Sequence, residues 1–252
     1  MTDGILSGKS IIITGASSGI GADAARVFAE EGARLVLSAR TPGPLEALEA
    51  EVTAAGGEAV VVAGDISDPA TARRLVATAV ERFGRLNGAL NNAGMTQFGG
   101  IADLSEADFD RIIAVNVKGV WLSMREQIRA MRASGGGAIV NVSSVGGYRG
   151  SPGLGAYQAT KHAVIGMSRT AAHDSGPLGV RVNVVAPGAT ETPMLQHWRS
   201  HDPAGVQRRV DQIPLRRPAT GGDVASAAAW LLSDRASYLN GVVVPVDGGY
   251  SA

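Results

Sequence analysis

The chain has no cysteine. That excludes a disulfide framework and a thiolate metal site. It also lacks a surplus of either charge: Lys+Arg and Asp+Glu are both 23, so the formal net charge is zero. Nothing at whole-chain scale draws the molecule to nucleic acid or to an anionic membrane, and neither is expected as a partner. No apolar run approaches the roughly 18 residues that a membrane span needs. The first ten residues show no basic segment followed by an apolar one, so no secretory leader is expected and the cytoplasm is the default location. His197 and His201 stand four apart but have no third ligand clustered with them, so they read as surface residues and no metal is expected.

What is present is an alternation of short β-branched runs and helical patterns. Ile11-Ile12-Ile13 reads as a buried parallel strand, and Leu35-Val36-Leu37 and Val60-Val61-Val62 as the next two strands. Helices follow each: one from Ile20 to a stop at Gly32, one over 45–52 and one over 70–83. The pattern continues with a strand at Ala89-Leu90, a long helix over 107–133, strands at 139–142 and 182–185, a helix over 223–232 and a last strand at 242–244. Asp68 before Pro69 is the better cap for the third helix, since proline suits the first helical position. This order predicts an α/β single domain over 1–252, a Rossmann-type doubly wound parallel sheet of about seven strands flanked by helices. The segment 192–217 breaks the alternation, is charged and irregular, and is the candidate substrate lid.

Between the first strand and the first helix lies Thr14-Gly15-Ala16-Ser17-Ser18-Gly19-Ile20-Gly21. Glycines allow a sharp turn and a close approach of backbone to ligand, and the helix start offers unpaired N–H groups and a positive dipole end. A pyrophosphate fits there, with Ser17 and Ser18 as added donors, although an ordinary glycine turn has the same letters. The spacing is G-x-x-x-G-x-G, a longer turn than the common dinucleotide fingerprint. Near the end of the second strand, where a carboxylate would accept from the ribose hydroxyls, stand Ala39 and Arg40. With no carboxylate to repel a 2′-phosphate and a guanidinium to pair with it, NADP is favoured and NAD is possible. Arg40 is otherwise a solvated arginine. Asp65, with Ile66 beside it, either accepts from the adenine amino group or caps the following segment.

Tyr157 and Lys161 are four apart in Tyr157-Gln158-Ala159-Thr160-Lys161. On a helix both leave one face, about 6 Å apart along the axis. An ammonium there favours the phenolate, so the pair is suited to give a proton to a carbonyl oxygen or take one from an alcohol. Taken alone, the pair also describes a half-buried aromatic beside a solvated lysine.

These pieces, with Asn91-Asn92-Ala93-Gly94, Asn116, Ser144 and Pro187-Gly188 with Thr192, resemble the classical short-chain dehydrogenase/reductase family over nearly the whole chain. The resemblance implies a nicotinamide cofactor and a catalytic set of Asn116, Ser144, Tyr157 and Lys161. By it, Tyr157 is the proton donor and acceptor, and Lys161 lowers its pKa and holds the nicotinamide ribose. Ser144 polarises the substrate oxygen, and Asn116 holds a relay water. Ser143 is left a packing or hydrogen-bonding role. It further implies that Gly15, Ser17, Ser18, Gly19, Ile20 and Gly21 hold the pyrophosphate, and that Asn91 and Asn92 stand beside the adenosine ribose and the sheet end. Pro187, Gly188, Thr190 and Thr192 line the nicotinamide, with Thr192 on its carboxamide. A homotetramer built through helices near 107–133 and 156–172 is implied as well, with the apolar stretch 241–252 as a possible second contact.

The expected pocket involves Gln97, Phe98, Val145, Gly146, Leu154, Met194, Leu195 and Trp198, mostly apolar, which suits a small hydrophobic ketone or alcohol. Met194 and Trp198 serve equally to pack the lid down. Arg208, Arg209, Arg216 and Arg217 form a basic cluster that either attracts an acyl-carrier thioester or is a solvated face among Asp202 and Asp211. Three functions follow: an NADP(H)-dependent ketone/alcohol oxidoreductase, a 3-oxoacyl-thioester reductase, or a nucleotide-sensing module without catalysis.

Overall fold

The computed structural model describes residues 4–252; the first three residues of the expected 1–252 domain lie outside the described residues. Strands and helices run in the order β1 (Ser10–Thr14), α1 (Gly19–Glu30), β2 (Arg34–Ser38), α2 (Pro42–Ala54), β3 (Glu58–Val61), α3 (Pro69–Phe83), β4 (Gly88–Asn91), α4 (Glu106–Ile113), α5 (Gly119–Ala133), β5 (Gly137–Val142), α6 (Gly155–Ser175), β6 (Val180–Pro187), α7 (Pro193–His201), α8 (Pro203–Asp211), α9 (Gly221–Leu232) and β7 (Val243–Val246). The described strands form one seven-stranded sheet of order β3-β2-β1-β4-β5-β6-β7, parallel throughout.

Side chains on a strand alternate between faces, and the first strand shows what this does. Ile11 and Ile13 pack with Phe28 of α1, Leu45 of α2 and Ala228 of α9. Ile12 packs on the opposite side with Leu75 of α3, Met124 of α5 and Val164 of α6. Every one of these residues is buried. A β-branched run buried on both faces is the signature of a strand between two helical layers.

The chain runs from β3 at one edge back across to β4 on the other side of β1. Thr14 and Asn91, the last residues of β1 and β4, are register partners. This reversal opens a crevice at the carboxyl ends of the strands, where ligands of open α/β sheets bind.

Two local features depart from the expected pattern. The long helix expected over 107–133 is present, but a single π turn, Ala114–Lys118, separates α4 from α5. One wide turn of this kind widens the helix and re-aims what it carries, here Asn116. The segment 192–217, expected to be irregular, contains α7 and α8. Both begin with proline at the first position, and Thr192 and Asp202 accept from Leu195 N and Gly205 N. Each helix has nine residues, too few for a hydrophobic period to stand out. Asp68 caps α3 through Ala70 N, as expected.

Candidate active site

The glycine loop leaves β1 and enters α1. Gly15 has φ +68° and Gly19 φ +54°, the left-handed region that favours glycine. A Cβ on Gly15 would stand 2.8 Å from Ala93 Cα, and one on Gly21 would run into the Gly15 carbonyl and the Asn92 amide. Asn92 ties the turn down: its Nδ2 donates to Thr14 O and Gly15 O, both at 3.1 Å. Ser18 occupies the position before α1 with no side-chain cap to the helix, so the first amides and this hydroxyl face the crevice. The result is a backbone cradle opening into a cavity of about 310 Å³. Ser17, Ser18, Arg40, Asp65 and Thr192 are among its walls. These features fit a dinucleotide: a helix N-terminus for the pyrophosphate, and an exposed guanidinium at the end of β2. Asp65 lies in the loop after β3. Its carboxylate accepts from Ser67 N and Oγ, and these bonds, with Arg40 and Arg111 nearby, hold its pKa below the usual range.

The second cavity, about 220 Å³, adjoins the first through Ile20, Asn92, Gly94 and Thr192. Tyr157 and Lys161 project into it from α6, and Ser144 from the end of β5. Lys161 is 5% exposed. Its ammonium lies over the Tyr157 ring, 5.5 Å from the centroid, and donates to Val142 O at 2.9 Å. Burial pushes the lysine down to about 8. The Ser143 hydroxyl donates to the Lys161 carbonyl at 2.9 Å, which fixes the helix turn that carries the lysine. Ser144 Oγ instead faces the cavity and accepts from Gly146 N at 3.1 Å.

Asn116 is 1% exposed. Its amide clamps Met95, accepting from Met95 N at 2.9 Å and donating to Met95 O at 2.8 Å, and it donates to Thr160 Oγ1 at 3.1 Å. Thr160 Oγ1 donates in turn to the Tyr157 carbonyl at 2.6 Å. The π turn, the chain after β4 and the Tyr157 helix are thereby pinned to one another. Both amide protons of Asn116 are used, which leaves only Oδ1 capacity for a further partner.

A family model described as enoyl-(acyl carrier protein) reductase matches residues 15–251. Levodione reductase of Leifsonia aquatica is 38% identical over 97% of this chain and 94% of its own length. A 2,5-dichloro-2,5-cyclohexadiene-1,4-diol dehydrogenase of Sphingobium indicum is 42% identical over 98% of each chain. The crystal structure of levodione reductase superposes with a TM-score of 0.92 at 37% identity, covering 96% of this chain and 97% of that one. A structure assigned as an NAD(P)-dependent gluconate 5-dehydrogenase from Beutenbergia cavernae, with NADP bound at low occupancy, gives 0.91 at 34% identity and covers 97% of each. The chain belongs to the short-chain dehydrogenase/reductase family.

As a short-chain dehydrogenase/reductase it is an oxidoreductase that uses NAD(P). Among the described residues, no helix is long and apolar enough to cross a membrane and no cluster of His, Asp and Glu is arranged for a metal. His197 and His201 are exposed, as expected, and their rings pack together with Phe98 beside them.

Several expected site residues need correction. Asn91 does not face the cofactor crevice. It is 2% exposed, and its side chain joins Gln127 and Asn141 behind the sheet. Strand alternation sends Asn91 one way; the chain after the strand end sends Asn92 the other. Gly21 lines neither cavity and serves the close packing of helix start on loop. Gln97 is not among the walls of the second cavity, while its neighbours Thr96 and Phe98 are.

The Tyr157 phenol is pushed up by burial, against the expected acidification; the Ser144 hydroxyl pulls the other way in smaller measure. The ammonium sits over the ring face, tied to a carbonyl, so desolvation prevails. Sequence reasoning missed Arg149, Ser151, Gln158, Ile213 and Tyr250 as cavity walls, and it left Arg209 between a carrier dock and a solvated face, whereas it too is a wall. These come from five separate stretches, and no local motif marks them.

Proposed function

We propose that the chain interconverts small ketones and secondary alcohols with NADP(H), by hydride transfer to or from carbon and proton transfer at Tyr157. The observation that carries this reading is one cavity shared by Ser144 and Tyr157, with Lys161 buried behind them and the glycine cradle adjoining it.

A nicotinamide bound in the cradle would supply the hydride in reduction and accept it in oxidation. In reduction, Tyr157 and Ser144 donate hydrogen bonds to the carbonyl oxygen, and those bonds strengthen as negative charge grows there. A phenol whose pKa burial holds up keeps its proton until that charge develops, which suits a general acid. Lys161 holds positive charge beneath the phenol and, in the reverse direction, stabilises the phenolate that accepts the alcohol proton. Pro187, Gly188 and Thr190 shape the wall where the nicotinamide ring would lie, and Thr192 spans both cavities. Arg40, exposed at the rim, is the residue suited to the 2′-phosphate; the Beutenbergia cavernae relative with NADP supports that choice.

Relatives named for levodione, a γ-butyrolactone and a cyclohexadiene diol support a ketone or secondary alcohol on a compact skeleton. The thioester alternative has less support than the sequence suggests. Arg217 is paired with Asp223 at 2.7 Å, so one of the four cations of a carrier dock is spent internally. The reading places the enzyme in the cytoplasm as a homotetramer. The half-exposed aromatics Phe109 on α4 and Trp121 on α5 support contact through the long helix.

The test follows the absorbance of NADPH and of NADH across a panel of cyclic and linear ketones, with acyl-thioester substrates alongside. Turnover of simple ketones with NADPH supports the reading. Tight NADPH binding with no turnover of any member would favour the sensor.

A further inference from the structure

The substrate cavity is apolar in most of its walls but not neutral. Among the described residues no aspartate or glutamate lines it, whereas Arg149, Lys161 and Arg209 do. Lys161 belongs to the reacting set. The two arginines have no role in the proposed chemistry.

Neither guanidinium has a carboxylate at ion-pair distance among the described residues. The acids nearest in sequence to Arg209 are engaged elsewhere. Asp211 accepts from Gln207 at 2.8 Å, Asp202 caps α8 through Gly205 N at 2.8 Å, and Asp223 pairs with Arg217 at 2.7 Å. In the C-terminal turn that carries Tyr250, Asp247 accepts from Gly249 N and Ser251 N, each at 3.0 Å.

Both guanidiniums are nevertheless held in place. Arg209 of α8 stacks over Trp198 of α7, 4.5 Å from the ring centroid. Arg149, after β5, stacks over Tyr250 at 4.8 Å and donates to the Tyr250 carbonyl at 2.9 Å. An arginine fixed on an aromatic face keeps most of its donors free and loses little freedom on binding an anion.

We infer that the physiological substrate is a ketone or alcohol bearing a carboxylate, held at the cavity mouth by Arg209 and Arg149. This rests on the proposed carbonyl chemistry at Tyr157 and names the substrate class for that site. A carboxylate matches the guanidinium fork in two parallel hydrogen bonds. Arg209 is part-buried and Arg149 exposed, so the larger share falls to Arg209, where water and salt screen less.

The experiment compares an oxocyclohexanecarboxylate with its methyl ester, which keeps the skeleton and loses the charge, using NADPH at low ionic strength. The expected kcat/KM is about tenfold or more in favour of the acid, as charged hydrogen bonds allow. The preference falls towards one in Arg209→Gln and survives only in part in Arg209→Lys, which keeps the charge and loses the fork. A wild-type ratio near or below one overturns the inference. So does an Arg209→Gln variant that lowers both substrates by the same factor, since that is what a packing role on Trp198 predicts. A second readout needs no turnover: thermal protection of the NADPH-loaded protein by cyclohexanecarboxylate against cyclohexanecarboxamide. Selective protection by the acid with neither ketone reduced sinks the carbonyl chemistry and keeps the anion site. Equal protection by both sinks the anion site alone.

Discussion

The cofactor side and the substrate side of the crevice are built on different principles. The cofactor side is mostly backbone: a turn at Gly15 and Gly19, the first amides of α1, and the chain after β4 tied to Thr14 through Asn92. The substrate side is mostly side chains brought from the ends of β5 and β6, from α6, from the two short helices after β6 and from the C-terminus. A backbone cradle needs small residues at fixed spacing and so leaves a compact sequence signature. A wall of side chains needs only that distant segments arrive at one place. One half can therefore be read as a motif, whereas the other exists only after folding.

The sharpest way to separate the halves is Tyr157→Phe. Loss of the proton donor removes roughly 10²–10⁴-fold of turnover, while NADPH binding, followed by fluorescence titration, stays within a few-fold. Near-normal turnover would falsify the role of the phenol.

Lys161 lies at the junction, and its burial has a pH signature. Its folded pKa of about 8 is below the ordinary 10.5. Between those values the unfolded chain binds the proton that the folded chain has released, so stability rises with pH across that window. Below it both states are protonated and the full cost, roughly 3 kcal/mol, is present. The chain has only three lysines and four tyrosines, so few groups compete in that range. Thermal unfolding of the cofactor-free protein is expected to show a rising midpoint between pH 8 and 10 and a flatter profile in Lys161→Met. Parallel profiles in the two proteins would contradict the buried, depressed lysine.

Arg40→Ala probes the cofactor half alone. The expected loss is about tenfold or more in NADPH affinity, with little change for NADH, as removal of a charged hydrogen-bond partner predicts. Equal losses for both cofactors rule out a phosphate role. The smallest expected effect on the crevice is that of Asn91→Ala, because the side chain lies behind the sheet. It leaves Gln127 and Asn141 short of a partner, which costs about 1–3 kcal/mol of stability in denaturant titration. Its cofactor affinity should match wild type; a change there would return Asn91 to the crevice.

The alternation of β-branched runs and helical patterns made the doubly wound sheet legible, because each strand buried on both faces must be apolar throughout. The glycine loop and the Tyr157–Lys161 spacing were legible for a similar reason: each works within one turn of backbone or helix. Asn91 was misread because strand parity, not proximity in sequence, decides which side of a sheet a residue serves. The short helices after β6 escaped because nine residues give too little period against charge.

By itself the chain determined its layers, its glycine cradle and the spacing of the Tyr157–Lys161 pair. These follow from local conformational preference and from periodicities of two and 3.6 residues. Only the tertiary structure decided that Arg149 and Arg209 share one cavity and that Asn116 clamps Met95 across a π turn. It also decided that burial, rather than the neighbouring ammonium, governs the phenol. Desolvation and proximity between remote segments are properties of the packed chain, and no spacing along the sequence encodes them singly.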